Sequence, residues 1–125
     1  FISKLDDGLD SVVAQGGTNL SGGQKQRLSI ARALVRRPAL YIFDDSFSAL
    51  DFKTDAKLRK ALREEIVDSS IIIITQRIST VMDADQIVVM DEGQVVGKGV
   101  HKELLKTCKV YREIASSQLS EEELA

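Results

Sequence analysis

The sequence is poor in several features, and each shortage excludes a class of protein. The 125 residues include one cysteine, Cys108, so an internal disulfide is impossible and a reduced, cytosolic compartment is the simplest interpretation. The net charge is only −2, which argues against a whole surface that binds nucleic acid. No apolar run approaches the ~18 residues that a membrane-spanning helix needs, and Phe1 does not open a signal peptide. Work at a membrane would therefore require an anchor elsewhere.

Prolines, linkers and repeats that would divide the chain are equally scarce. Proline occurs once, at Pro38, no Ser/Gly/Pro-rich linker divides the sequence, and no internal repeat is visible. Hydrophobic residues make up 43% and charged residues 29%, which is typical of a soluble globular protein. The length fits one domain or a piece of one.

A helix is predicted to begin near Ser21 and to end before Pro38. Residues 21–24, Ser-Gly-Gly-Gln, have the S-x-x-Q form of a capping box. The spacing of the apolar residues then predicts a helical face made of Leu28, Ala31, Leu34 and Val35.

Two apolar runs, "ALYIFDD" and "SSIIIITQ", predict strands on either side of a second helix over about residues 52–67. The inward face of that helix is predicted to comprise Leu58, Ala61, Leu62 and Ile66. Because the isoleucine run does not alternate, its strand is expected to be buried on both faces, as in a parallel sheet covered by helices. The order of elements predicts an α/β fold.

The rest of the chain predicts smaller elements. A short helix over residues 78–82 precedes a hairpin that turns at Glu92-Gly93. Helices over residues 101–106 and 110–118 and an acidic tail follow. His101 is expected to cap its helix, and Cys108 to be a small buried or turn residue. The charged residues of the second helix are expected to form a solvated face; they are Lys57, Arg59, Lys60, Arg63, Glu64 and Glu65.

The helix start at Gly22-Gly23 has the properties of an anion site. Glycines allow a ligand to approach the backbone, and the first amides of a helix lack intrahelical partners. Those amides and the helix dipole favour an anion such as phosphate. Ser21 adds a hydroxyl donor, and Lys25 and Arg27 add positive charge. The alternative is an ordinary capped helix start.

A second candidate cluster follows the first apolar run. A strand that ends in an aspartate, here Asp44, is where P-loop NTPases place a Mg²⁺-organising carboxylate. Asp45 beside it could equally be a loop residue or an N-cap. The phosphate loop itself, G-x-x-x-x-G-K-[ST], does not occur in this sequence.

Taken in order, these segments resemble the ATP-binding-cassette (ABC) ATPases. The segment "LSGGQKQRLSIARAL" resembles their signature, "LYIFDD" their Walker B strand, and "SALD" their D-loop. The segment "IIIITQRIST" resembles the strand and switch that follow, and "MDEGQVVGKGVHKELL" and "VYREIASSQ" the C-terminal hairpin and helices. The resemblance covers nearly the whole chain and is closest to exporters whose ATP-binding domain is fused to a transmembrane domain.

The resemblance implies roles for particular residues. In the family two such domains dimerise head to tail around two ATP molecules. The residues Ser21, Gly22, Gly23 and Gln24 would contact the γ-phosphate of ATP held by the partner. Asp44 would organise Mg²⁺, and Asp51 would cross the dimer interface. The loop 15–17 lies where exporters contact the transmembrane domain, although a flexible approach to the helix is an equal alternative.

Two positions depart from the family pattern. The usual glutamate after the Walker B aspartate is Asp45, one methylene shorter, and a retreat of ~1 Å by a catalytic base can cost on the order of 10²-fold in rate. The usual switch histidine is Gln76, which can donate to a phosphate oxygen but cannot become cationic. These substitutions resemble the degenerate half of heterodimeric exporters. The alternative is that both are tolerated in a working site.

The resemblance also implies a domain assignment. Residues 1–37 would end the helical subdomain, residues 38–118 would form part of the catalytic core, and residues 119–125 would be the tail. The Walker A portion is absent, so the fold is expected to be a partial P-loop NTPase-like core that presents an open sheet edge and binds ATP poorly alone.

The implied setting is the cytoplasmic face of the membrane. The implied partners are a second ABC domain, as a heterodimer, and a transmembrane domain, with no nucleic acid. Alternatives are a non-transporting ABC ATPase and a truncated module that only completes another subunit's ATP site. Long heptad segments, which the first alternative calls for, are not visible.

Overall fold

In a computed structural model of the chain, residues 1–120 are described. The helices and strands are α1 (Gly22–Val35), β1 (Leu40–Asp44), α2 (Phe52–Glu65), β2 (Ser70–Ile74), α3 (Ile78–Val81), β3 (Ile87–Asp91), β4 (Gln94–Gly99), α4 (His101–Thr107) and α5 (Lys109–Gln118). Short 3₁₀ turns precede α1 at Ile2–Lys4, Gly8–Asp10 and Gln15–Gly17. The order and type of the predicted elements are confirmed.

The chain divides into two compact units. The first runs from Phe1 to Ile74 and contains α1, β1, α2 and β2. The second begins at Thr75 and contains the hairpin and the last three helices. None of the helices within residues 1–120 combines the length and apolar character needed to cross a bilayer.

Helix α1 begins with the predicted capping box. The Gln24 amide donates to Ser21 Oγ at 3.2 Å, and the Ser21 amide donates to Gln24 Oε1 at 2.8 Å. The predicted buried face, however, was partly wrong. Ile30 is 3% exposed, whereas Val35 is 83% exposed. The core of the first unit meets α1 along the Ile30 side of the helix, and Ile30 was not part of the predicted face.

Strands β1 and β2 pair in parallel, with Leu40 opposite Ser70 and Asp44 opposite Ile74. Side chains of β1 alternate between buried and exposed. The buried ones join the first core, which comprises Ile30, Tyr41, Phe43, Phe47, Leu50 and Leu62. The parallel pairing predicted from the order of elements is therefore confirmed.

The burial of β2 differs from the prediction. Ile72 is 47% exposed and Ile74 is 51% exposed, although both belong to an uninterrupted isoleucine run. Within residues 1–120, β1 is the sole strand that pairs with β2, so the apolar run lacks the second neighbour and second covering layer of a sheet interior. The predicted open sheet edge is thus present in the described residues.

Helix α2 packs on the first core through three of its four predicted inward residues, namely Leu58, Leu62 and Ile66. Ala61 is exposed, contrary to the prediction. The predicted solvated charged face also has an exception. The side chain of Arg59 is 18% exposed and pairs with Asp55, whose side chain is 3% exposed.

In the second unit, β3 and β4 form the predicted hairpin. Glu92 and Gly93 both have positive φ, 45° and 78°, as the favoured two-residue hairpin turn requires. Helices α4 and α5 pack against it and enclose the second core, which comprises Ile78, Ile87, Val89, Leu104, Cys108, Tyr111 and Ala115.

In the second unit, the prediction for His101 is wrong and that for Cys108 is confirmed. His101 does not cap α4; the cap position is Val100, whose amide donates to Glu103 Oε2 at 3.3 Å. His101 is instead buried, with Nδ1 hydrogen-bonded to the Tyr111 hydroxyl at 2.8 Å. Cys108 is buried as expected. The last five residues of the predicted acidic tail, 121–125, lie outside the described residues.

Candidate functional site

The start of α1 presents free backbone donors. Because the first amides of a helix have no intrahelical acceptor, the N–H groups of Gly22 and Gly23 remain available to a ligand. The capping box occupies one acceptor position of Ser21 Oγ and leaves its hydroxyl proton free. It uses Gln24 Oε1 and leaves the Gln24 side-chain NH₂ as a donor. This donor set fits a phosphate group.

Positive charge is held near this helix start. Lys25 Nζ donates to the carbonyl of Gly16 at 3.0 Å. Arg27 Nε donates to the carbonyl of Gly23 at 3.2 Å, and its guanidinium lies 4.9 Å from the centroid of the Phe1 ring. The two cations predicted to add positive field therefore lie beside the first turn of α1, held by backbone carbonyls.

The Gln15–Gly17 loop before α1 is tied down by side chains. Besides Lys25, Asn19 accepts from the Ala14 amide at 3.0 Å and donates to the Val12 carbonyl at 2.9 Å. Both glycines of the loop have positive φ, which suits glycine. The loop is thus a hydrogen-bonded turn, and its contact with a transmembrane domain stays a prediction.

Gly23 also has a structural reason to be glycine. A Cβ at this position would lie 3.0 Å from the Ala49 carbonyl oxygen and 3.3 Å from Leu50 Cδ2. At Gly22 the corresponding contact is 3.5 Å, to Ala49 Cβ, which is ordinary packing. The first turn of α1 therefore packs closely on the segment that follows β1.

The two aspartates lie at the carboxyl end of β1. Asp44 is its last residue and is exposed. The Asp45 amide donates to the Ile74 carbonyl at 2.9 Å, and Asp45 has φ of 45°, in the left-handed region. Aspartate tolerates this region better than most side chains. The backbone turn thereby sets the direction in which the Asp45 carboxylate leaves the strand.

The carboxylates do not form a complete metal site by themselves. Within residues 1–120, no group of three or more His, Cys, Asp or Glu side chains is arranged to hold a metal ion. Magnesium at nucleotide sites usually takes one or two protein carboxylates and fills its remaining positions with water and phosphate oxygens. Asp44 and Asp45 fit that contribution.

Gln26 is a residue of this site that sequence reasoning missed. Its Nε2 donates to the Asp45 carbonyl at 3.3 Å and to Ser48 Oγ at 3.1 Å. Its Oε1 accepts from the Ala49 amide at 3.0 Å. One signal was present: Gln26 lies one helical turn before the buried Ile30, and a polar side chain on a buried helix face needs partners.

Asp51, the predicted interface residue, is the N-cap of α2. Its Oδ1 accepts from the Thr54 amide at 3.0 Å. Hydrogen bonds from the Thr54 side chain and backbone lower the pKa of the Asp51 carboxyl below its ordinary value. The residue therefore has a local structural role, and its place in a dimer interface stays a prediction.

Gln76 belongs to the second unit, in the turn between β2 and α3, and is exposed. Its carbonyl accepts from Gln118 Nε2 at 2.8 Å. Gln118 was not singled out in the sequence, because it lies 42 positions further along the chain.

Comparisons with known proteins point to one family. The family model described as ABC transporter matches residues 2–48. An uncharacterised ABC transporter ATP-binding protein of Mycobacterium tuberculosis is 58% identical over 112 residues, which is 90% of this chain and 19% of that protein. An ATP-dependent lipid A-core flippase of Aliivibrio fischeri is 42% identical over 121 residues, 97% of this chain and 21% of that protein.

A solved structure is also similar. A bacterial Atm1-family ABC exporter with ATP bound has a TM-score of 0.89 and 38% sequence identity, over 97% of this chain and 21% of that chain. The chain thus spans about a fifth of the length of the relatives it matches. Its fold is that of part of an ABC ATPase, and the chain belongs to the ATP-binding domains of the ABC transporter family.

Proposed function

We propose that this chain is part of the ATP-binding component of an ABC exporter. Ser21, Gly22, Gly23 and Gln24 bind the γ-phosphate of ATP held by a second ABC domain. The Asp44 side of the chain serves its own ATP site, which is catalytically slow. The donor set at the capped start of α1, in a segment that matches the family, is the observation that carries this proposal.

The anion-binding role rests on unpaired donors. The free amides at Gly22 and Gly23, the Ser21 hydroxyl proton and the Gln24 side-chain NH₂ converge on one helix end, where the helix dipole favours negative charge. The neighbouring cations Lys25 and Arg27 add to the positive potential. These groups hold a phosphate and stabilise charge that develops on it during hydrolysis.

The slow site rests on two side chains. Bound Mg²⁺ would neutralise charge on the ATP phosphates, and Asp44 would hold it through water or directly. Asp45 is one methylene shorter than the glutamate usual at its position, so its carboxylate lies farther from an attacking water. Gln76 donates a hydrogen bond to phosphate but carries no positive charge at any pH.

The relatives support the proposed membrane setting. One is named as a lipid A-core flippase and another as an exporter with ATP bound. We propose that this chain likewise works at the cytoplasmic face of a membrane, with a transmembrane domain and a second, different ABC domain as partners. Its Asp51 and the loop 15–17 contact those partners.

The test restores the two family residues in the full-length polypeptide, purified with its partner. Asp45→Glu together with Gln76→His should raise the rate of ATP hydrolysis at this chain's own site by about 10-fold, because a base and a cationic donor then reach their targets. Single-turnover hydrolysis measures that rate directly.

Matched substitutions at exposed positions, Asp68→Glu and Gln94→His, serve as controls and should leave the rate unchanged. An unchanged rate in the double variant would show that Asp45 and Gln76 already form a working site, and the degenerate-site proposal would be wrong. Loss of hydrolysis at the partner's site in a Ser21→Ala variant tests the signature role separately.

A further inference from the structure

We propose that Gln26 is a positioning residue that ties the phosphate-binding start of α1 to the turn that carries Asp45. It touches neither phosphate nor water in this role. It acts through residues 45–49, with which its side-chain amide makes two hydrogen bonds to the backbone and one to the Ser48 hydroxyl.

The bonds use both ends of the amide. Nε2 donates to the Asp45 carbonyl at 3.3 Å and to Ser48 Oγ at 3.1 Å, and Oε1 accepts from the Ala49 amide at 3.0 Å. To make all three bonds, a side chain at this position must offer two N–H donors and one acceptor at this distance from the helix. Only the glutamine side chain, a primary amide on a two-carbon stem, meets this requirement. The partly buried position makes lost partners costly.

The turn that Gln26 holds is tightly determined from two sides. Asp45 has a left-handed backbone and donates to Ile74 on the neighbouring strand, while its carbonyl faces α1. Ala49 lies against Gly23, where a Cβ would come within 3.0 Å of its carbonyl oxygen. The first turns of α1 and residues 45–49 therefore form one hydrogen-bonded block.

This block joins two sites, and the inference rests on the proposed function. The start of α1 serves ATP on the partner, whereas Asp45 serves ATP on its own domain. Any shift of α1 when it engages phosphate passes through the Gln26 amide to the Asp45 carbonyl. Gln26 thereby couples occupancy of one site to the placement of the carboxylate in the other.

The experiment uses the full-length polypeptide with its partner and compares Gln26→Met, which keeps length but removes all three bonds, with Gln26→Glu, which keeps the acceptor for Ala49. Hydrogen–deuterium exchange of residues 45–50 is measured with and without ATP, and kcat and KM for ATP hydrolysis alongside. In the wild type ATP should slow exchange in this segment. Gln26→Met should abolish that difference and lower kcat about 10-fold, with KM changed less than about 2-fold. Gln26→Glu should preserve protection at Ala49 and still lower kcat.

Gln94→Met, an exposed glutamine in β4, is the matched control and should behave as the wild type. The inference is overturned if hydrogen exchange of residues 45–50 and kcat in Gln26→Met both match the control. It is also overturned if the loss of kcat is fully explained by a lower melting temperature of the variant. Absence of ATP hydrolysis in the wild type would contradict the proposed function. Hydrogen exchange of residues 45–50 in Gln26→Met would still show whether Gln26 holds this segment.

Discussion

Gln118, the last residue of α5, closes the turn at Gln76 with both ends of its side-chain amide. Nε2 donates to the Gln76 carbonyl at 2.8 Å, and Oε1 accepts from the Ile78 amide at 2.9 Å. The backbone of the predicted switch position is thus held by a side chain from the far end of the second unit. Gln26 has the same relationship to Asp45 in the first unit.

Replacing Gln118 by methionine should loosen this turn. The two lost hydrogen bonds are worth about 0.5–1.5 kcal/mol each, and the Ile78 amide at the start of α3 loses its acceptor. We expect a lower melting temperature and faster hydrogen exchange at residues 76–78. Gln94→Met is the control of equal size change, and equal behaviour of the two variants would contradict the role assigned to Gln118.

The two neighbouring glycines at the start of α1 should respond differently to alanine. Gly23→Ala places a methyl group 3.0 Å from the Ala49 carbonyl oxygen, so the protein should lose about 1 kcal/mol of stability or more. Gly22→Ala makes an ordinary 3.5 Å contact and should be neutral or stabilising, since alanine favours a helix by roughly 0.5 kcal/mol. Thermal unfolding of the two variants measures the contrast. An equal effect of both would show that the close approach of α1 to Ala49 is absent.

The ion pair within α2 should matter far more than a superficially similar pair on the same helix. Asp55 and Arg59 are 3.1 Å apart with side chains 3% and 18% exposed. Asp55→Asn removes the buried carboxylate of this pair and should cost about 2–4 kcal/mol. Lys60 and Glu64 are 3.9 Å apart and largely exposed, so Glu64→Gln should cost less than about 0.5 kcal/mol. Denaturant midpoints of the two variants measure the difference. Similar losses of stability in both would argue against burial as the cause.

The stability of the protein should fall at alkaline pH because Tyr111 is buried. Burial raises the pKa of its hydroxyl above the ordinary value of 10.0, because the interior disfavours the phenolate. The folded state then holds the proton more tightly than the unfolded state. This contribution to stability is fully present below pH 10.0 and is lost as pH rises through the folded pKa.

Tyr111→Phe removes this alkaline dependence, and it also removes the hydrogen bond to His101, at a cost of about 1 kcal/mol at neutral pH. The measurement is the melting temperature of both proteins across the alkaline range. The wild-type curve should fall toward that of the variant as pH rises. Two parallel curves would mean that Tyr111 does not ionise differently in the folded and unfolded states.

Local patterns in the sequence were reliable wherever one short segment determined the structure. The capping box at Ser21 and the hairpin turn at Glu92-Gly93 both formed as predicted, because their geometry depends on residues within three or four positions. The helical faces were less predictable. The predicted face of α1 included Val35, but tertiary packing buried Ile30 instead.

By itself, the sequence determined the family, the order of the elements and the candidate phosphate-binding residues, since those depend on motifs contiguous in the chain. Only the tertiary structure decided what surrounds them. The partners of Gln26 lie 19 to 23 positions away and that of His101 lies ten away. The physical reason is that a buried polar group takes whichever partner the folded chain brings within hydrogen-bonding distance, and no local spacing encodes that choice.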